Sequence, residues 1–141
     1  MISHPVSHID FVPTLLDLLG QSDHPQCAGE SLLPLVHDET GPPRDVFLEW
    51  APNRTKVKKA SKLARRRSIK RAVEESTRTV VSPDGWKLCL RDKDLNELYS
   101  LKDDPFETRN LYSDAQSASV ISRLASEIFC WQEATNDKLK L

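Results

Sequence analysis

The stretch RTVVSPDGWKLCLRDKDLNELYSL, residues 78–101, decides the fold of this chain. It begins with Arg78–Val81, a run rich in β-branched residues that favours an extended strand. Ser82–Gly85 then has the composition of a tight turn, with Pro at its second position and Gly at its last. Apolar residues return at Trp86–Leu90 and, after a polar turn, at Leu95–Tyr99. Three short strands in succession predict a small antiparallel sheet, which needs a covering layer to be stable.

The final segment of the chain predicts that cover. Its apolar residues are spaced by four, four and three positions, which places them on one face of a helix; they are Val120, Leu124, Ile128 and Trp131. Ile121, Ala125 and Phe129 are expected to widen this face. The pattern indicates core packing against the sheet.

A second helix is expected at residues 7–19. Ser7 and Asp10 have the spacing of a capping box, and Gly20 is a natural stop. Pro13 would kink this helix or begin its main part. Residues 21–44 read as a connecting loop with one helical turn near Leu32–Leu35, and Asp45–Trp50 suits a strand.

Charge is distributed unevenly along the chain. The formal net charge is −1, yet Arg54–Arg71 contains ten of the 20 basic residues and no acidic one. Hydrophobic residues make up 38% of the chain, which is lean for its length. The composition fits a piece that packs against a partner, and equally a small polar domain with long loops.

Three islands of sequence together resemble the sulfatases of the alkaline-phosphatase-like superfamily. They are VSHIDFVPTLLDLLG at residues 6–20, GESLLPL at residues 29–35, and WKL, ELYSL and DPFETRNL within residues 86–111. The resemblance implies an α/β fold, in which this chain is the C-terminal part of the sulfatase fold: a small antiparallel sheet packed by a C-terminal helix. It divides the chain into the end of the catalytic domain (1–50), a basic insert (51–77) and a C-terminal subdomain (78–141).

The last island also has a physical interpretation. Asp104 can cap a short helical turn, Pro105 can occupy its first position, and Glu107 can reach back to the cap. Asn110 can then end the turn in a left-handed conformation. We therefore predict that residues 104–111, here called the clasp, are structural.

The resemblance implies sulfate ester hydrolysis with a formylglycine, made from Cys or Ser in a Cys/Ser-x-Pro-x-Arg motif, and a Ca²⁺ ion. Cys27, Cys89 and Cys130 all lack the following Pro and Arg, and no metal-ligand spacing is present. We expect no catalytic residue, metal site or cofactor in this chain and no activity of the chain alone. Asp103-Asp104 resembles a metal pair, but Asp104 is better explained as a cap.

The family's strand near residue 50 ends at the rim of the substrate cleft. The resemblance therefore marks Glu49, Trp50 and Arg78 as substrate-contact candidates, although each also fits an ordinary strand end. The basic segment Arg54–Arg71 has three possible interpretations: a solvated loop, a site for a sulfated polysaccharide or other polyanion, or a sequence resembling a nuclear-import signal.

The expected role is structural completion of a sulfatase, walling one side of its cleft, with the missing N-terminal catalytic portion as partner. The alternative is a stand-alone interaction module that binds an anion through Arg54–Arg71. No apolar run approaches the length of a membrane span. Family members are usually secreted, lysosomal or periplasmic, but the first residues do not form a signal peptide, so no compartment is predicted.

Overall fold

The computed structural model describes residues 5–21, 25–37, 43–52, 71 and 74–141. They belong to two compact units, Met1–Val46 and Phe47–Leu141. The first unit contains a 3-10 turn and two helices: His8–Asp10, α1 Phe11–Leu18 and α2 Leu33–Val36. The elements after α2 are β1 Val46–Trp50, β2 Thr77–Val81, β3 Trp86–Arg91, β4 Glu97–Ser100, a 3-10 turn Ala115–Ser117 and α3 Ala118–Ala134.

The predicted sheet is confirmed, with one more strand than expected. Its order is β1-β2-β3-β4, and β3 pairs antiparallel with both β2 and β4. Gly85 closes the β2–β3 turn at φ +86°, a left-handed conformation that glycine adopts without steric cost. The sequence places residues 45–50 with the preceding part of the chain, whereas in the structure β1 is an edge strand of the same sheet.

Helix α3 covers one face of this sheet, as its periodicity predicts. The buried cluster that joins them consists of Val80, Leu88, Leu90, Leu98, Leu124 and Ile128. Trp131 stacks on Phe47 of β1 with ring centroids 5.3 Å apart. Phe129 was expected on the same face but is 50% exposed, because it lies one residue, about 100° of helix, past the central Ile128.

The predicted N-terminal helix is confirmed as a 3-10 turn that continues into α1. The backbone N–H of Ser7 donates to the Asp10 carboxylate over 2.9 Å, and Pro13 lies buried in the first turn of α1. Such a position suits Pro because the first N–H groups of a helix have no intrahelical acceptor. Within the described part of the chain, no helix is long and apolar enough to cross a membrane.

Candidate functional site

The three predicted rim residues meet where β1 ends beside β2. Arg78 Nη2 donates to Glu49 Oε1, and Arg78 Nη1 donates to the backbone carbonyl oxygen of Trp50, each with a donor–acceptor distance of 3.2 Å. Neighbouring strands bring these residues together although 28 positions separate Trp50 from Arg78. We call Glu49, Trp50 and Arg78 the rim cluster.

Arg78 is the buried centre of the rim cluster, with its side chain only 5% exposed. It forms a bidentate pair with Asp137, through Nε at 2.7 Å and Nη2 at 3.1 Å. Nη1 also donates to the Thr77 carbonyl over 3.0 Å. A guanidinium carries five N–H donors, so the protein's own acceptors satisfy all of them. Arg78 holds the site together and has no donor left for a substrate.

Asp137 fastens the C-terminal tail to this arginine. The hydrogen bonds from Arg78 keep the pKa of Asp137 well below its usual range, although burial acts in the opposite direction. Gln132 Nε2 and the backbone N–H of Leu139 also donate to its carboxylate, over 2.8 and 3.1 Å. Sequence reasoning missed Asp137 because 59 positions separate it from Arg78 and no local pattern connects them.

The other two members of the rim cluster remain open to solvent. The side chain of Glu49 is 52% exposed and Trp50 is 60% exposed. An exposed indole offers a large flat apolar surface with a polar N–H edge, and the adjacent carboxylate offers hydrogen-bond acceptors. Because consecutive residues of a strand face opposite sides of the sheet, each of these two side chains can contact a polyhydroxylated ligand only on its own face of β1. Neither is a nucleophile activated by a neighbouring base.

The clasp is present, but the predicted helical turn within it is wrong. No residue of 104–111 is helical, and Asp104 instead accepts hydrogen bonds from Arg109 N at 2.8 Å and Thr108 Oγ1 at 3.1 Å. Glu107, not Asn110, has the left-handed backbone, at φ +53°. The Glu107 carboxylate does not reach back to the cap; it pairs with Lys87 Nζ on β3 at 2.6 Å.

Asn110 makes the connection between the clasp and the sheet. Its Oδ1 accepts from the backbone N–H groups of Leu98 and Tyr112, over 3.1 and 2.9 Å. Its Nδ2 donates to the carbonyl of Asn96 over 3.0 Å. The side chain therefore satisfies backbone groups in β4, just before β4 and just after the clasp, which gives the clasp a structural role through contacts different from those expected.

The first two sequence islands, residues 6–20 and 29–35, are joined by hydrogen bonds into one local structure. The buried Asp10 carboxylate accepts from Glu30 N at 3.2 Å and pairs with Arg44. Burial alone would raise the pKa of Asp10, but Arg44 and the backbone N–H donors lower it below its usual value. Thr14 Oγ1 accepts from Leu32 N over 2.9 Å. The polar side of α1 therefore holds the segment at 29–32.

Gly29 is required by this contact. A Cβ at this position would lie 2.2 Å from the carbonyl oxygen of Ile9, which is backbone and cannot swing away. Only glycine allows so close an approach. The two islands thus depend on each other, a link that their separation in sequence does not reveal.

The described residues do not fit the metal and nucleophile that sulfatases use. Among them, no three His, Cys, Asp or Glu side chains converge as metal ligands. The carboxylates of the Asp103-Asp104 pair accept hydrogen bonds from Ser100 and from the clasp. Burial raises the pKa of the Cys89 thiol. Of the predicted basic segment, Arg54–Lys70 lie outside the described residues.

The chain shares its fold with solved sulfatases and related hydrolases. A 2-O GAG sulfatase matches at 24% identity and a TM-score of 0.77, over 99% of this chain and 28% of that chain. A protein solved in complex with its substrate D-glucosamine-2-N,6-O-disulfate matches at 22% identity and a TM-score of 0.69, over 92% and 24%. The phosphonate monoester hydrolase of Agrobacterium radiobacter matches at 21% identity and a TM-score of 0.64, over 89% and 24%.

The chain thus spans about a quarter of the length of the solved structures that it matches. No curated protein sequence matches it. The family model of the N-sulphoglucosamine sulphohydrolase C-terminal region matches residues 1–134. With the antiparallel sheet, the covering helix and the interlocked motifs, this match shows that the chain belongs to the sulfatase C-terminal domain family.

Proposed function

We propose that this chain completes the fold of a sulfatase and forms one wall of its substrate cleft, without breaking the ester bond itself. The observation that carries the proposal is the family match over residues 1–134, within which the clasp and the Asp10 and Gly29 contacts are structural. The nucleophile and the metal ligands would belong to a separate catalytic portion.

The rim cluster supplies the wall. Glu49 and Trp50 stand exposed at a strand end, while the buried Arg78 fixes their backbone and carboxylate. Such an arrangement would position a substrate without moving a proton. Arg78 acts here as a positioning residue, and Glu49 or Trp50 makes the contact, each on its own face of β1.

Formylglycine and Ca²⁺ would come from the catalytic portion. Formylglycine supplies a nucleophile, and the cation stabilises charge that develops on the sulfuryl oxygens. The isolated chain should therefore not hydrolyse an aryl sulfate in the presence of added Ca²⁺. Turnover above that of a heat-inactivated sample would contradict the proposal.

The coding sequence upstream of Met1 provides a second test. We expect it to encode, in frame, a Cys/Ser-x-Pro-x-Arg motif and paired aspartates. A stop codon followed by a promoter would contradict this and would favour the second candidate function.

That second candidate is an interaction module for a polyanion such as a sulfated polysaccharide. The observation in its favour is the charge of Arg54–Arg71, which has ten basic residues and no acidic one. Such a segment creates a positive local field whatever its conformation. The same basic segment would also serve the first candidate if the substrate of the complete enzyme is a sulfated polymer.

A further inference from the structure

The C-terminal tail, residues 135–141, turns back onto the sheet directly after α3. Asn136 has a left-handed backbone, at φ +56°. The backbone N–H groups of Asn136 and Asp137 donate to the carbonyls of Glu133 and Gln132, over 3.2 and 2.8 Å. These two bonds form a Schellman motif, which ends a helix and reverses the chain. The family match ends at residue 134, so the tail lies outside the part of the chain that the family model covers.

The tail is held by more than the pair of Asp137 with Arg78. Gln132 is buried in α3, only 6% exposed. Its Nε2 donates to the carbonyl of Leu139 over 3.1 Å as well as to Asp137 Oδ2. Leu141 packs against the buried cluster between the sheet and α3. Loss of one carboxylate should therefore leave the tail folded back, so its local effect at Arg78 can be measured.

Two carboxylates share Arg78 unequally. Asp137 occupies the Nε–Nη2 edge of the guanidinium with two hydrogen bonds, at 2.7 and 3.1 Å, whereas Glu49 accepts from Nη2 at 3.2 Å. Nη1 donates to the backbone carbonyls of Trp50 and Thr77. A bidentate pair between arginine and a carboxylate is stronger than a single bond. The Nε–Nη2 edge is thus the preferred place for either carboxylate, and Asp137 occupies it.

We propose that Asp137 is a positioning residue for the rim cluster: by occupying this edge of Arg78, it keeps the Glu49 carboxylate half exposed and available to a ligand. Arg78 contributes one positive charge and the two carboxylates contribute two negative ones, so Glu49 retains an uncompensated charge. An ionised carboxylate only accepts hydrogen bonds, and it therefore offers a ligand acceptors for hydroxyl or ammonium donors. That use at the cleft rests on the proposed function, whereas the competition for Arg78 is a property of the chain itself.

Removal of the Asp137 carboxylate tests this competition by the direction of its effect. In Asp137→Ala the Nε–Nη2 edge is vacant, and the Glu49 side chain should move onto it. The exposed fraction of Glu49 should then fall from 52% toward the 15% that Asp137 now has. A purely structural role of Asp137 predicts the opposite, because a loosened tail would make the neighbouring carboxylates more accessible.

The measurement is carbodiimide-driven coupling of glycine ethyl ester to the carboxylates of the folded full chain, followed by peptide mass spectrometry. Asp84 is the internal reference, since its side chain is also 52% exposed and lies in a different tryptic peptide from Glu49. The matched control variant is Lys138→Ala, because Lys138 is exposed in the same tail. Circular dichroism melts verify that each variant folds.

We expect Glu49 labelling, relative to Asp84, to fall by about threefold in Asp137→Ala and to stay at the wild-type level in Lys138→Ala. Asp137→Asn keeps one acceptor oxygen without the charge, so its labelling should lie between wild type and Asp137→Ala. This milder variant decides the question if Asp137→Ala does not fold. Unchanged or increased labelling of Glu49 in the folded variant would overturn the inference. The proposed function would survive that result, since it fails only by its own tests of hydrolysis and upstream sequence.

Discussion

At the scale of single residues, Arg78 and Asp137 matter most, because they connect strand ends to the C-terminal tail. Arg78→Met would leave the Asp137 carboxylate, only 15% exposed, without its ion-pair partner. Breaking a buried pair in this way should lower the free energy of unfolding by about 3 kcal/mol. Urea denaturation measures this loss.

The matched control is Arg123→Met, which removes an exposed pair with Asp84, both side chains at least 45% exposed. Pairs of this kind contribute less than about 1 kcal/mol. If the two variants unfolded at the same urea concentration, Arg78 would not have the structural role that its five hydrogen bonds indicate.

Asp137 also predicts how stability depends on pH. Its pKa is lower in the folded chain than its ordinary value of 3.8, so the unfolded chain takes up a proton at higher pH than the folded one. The resulting stabilisation is present in full above the ordinary value and is lost as the pH falls toward the folded value. We expect wild type to lose more stability than Asp137→Asn between about pH 5 and pH 3. Parallel pH profiles of the two proteins in urea titrations would refute the role of Asp137. Asp10 is present in both proteins, so its own contribution to the pH dependence is the same in each.

At the scale of elements, the clasp depends on Asn110. Asn110→Ala removes three hydrogen bonds to backbone groups and should lower the free energy of unfolding by about 2 kcal/mol. Asn110→Asp keeps the acceptor for Leu98 N and Tyr112 N, but it loses the donor to Asn96 and places a carboxylate oxygen near that carbonyl. Thermal melts of both variants measure the losses, and we expect Asn110→Asp to lose less because two of the three hydrogen bonds remain. A loss as large as that of Asn110→Ala would contradict the importance of the two accepted hydrogen bonds.

The elements themselves could be predicted from sequence because their signals are local. The β-branched run Thr79–Val81, the turn at Ser82–Gly85 and the apolar residues of Trp86–Leu90 indicate β2 and β3, and four-residue spacing indicates α3. The clasp shows where this reasoning fails. Asp followed by Pro begins a tight turn as readily as a helix, and the choice depends on where Asn110 and Glu107 find partners on the sheet.

The rim cluster could be predicted only in part, for the same reason. Family resemblance indicated Glu49, Trp50 and Arg78, and the structure brings them together. It did not reveal that Asp137 uses two of the donors of Arg78, since that contact forms only when the tail folds back. Local patterns predict elements, whereas the roles of buried polar residues depend on distant partners.

At the scale of the whole molecule, buried polar contacts and exposed side chains have different roles. The contacts described above join the sheet, the clasp and the C-terminal tail, while Glu49 and Trp50 stay exposed at the end of β1. The wall that we propose would consist of these exposed side chains, held in place by buried polar contacts such as that of Arg78 with Asp137.

The basic segment leads to the last prediction, which follows from charge alone. Ten cations within Arg54–Arg71 should bind heparin at low ionic strength. Contacts between exposed charges are screened over about 8 Å at physiological salt, so this binding should be lost as salt rises. Elution from a heparin column across a salt gradient measures it.

The decisive variant deletes residues 54–70 and keeps Arg71, because Arg71 pairs with Asp94. The matched control replaces Arg109 and Arg123, two exposed cations elsewhere, with Gln. We expect the deletion to abolish retention and the control to elute close to wild type. If the deleted chain were still retained on heparin, the anion-binding site would lie outside residues 54–70. A deleted chain that no longer melts cooperatively would show that the segment is part of the fold, since the packing of β2–β4 against α3 should otherwise persist without it.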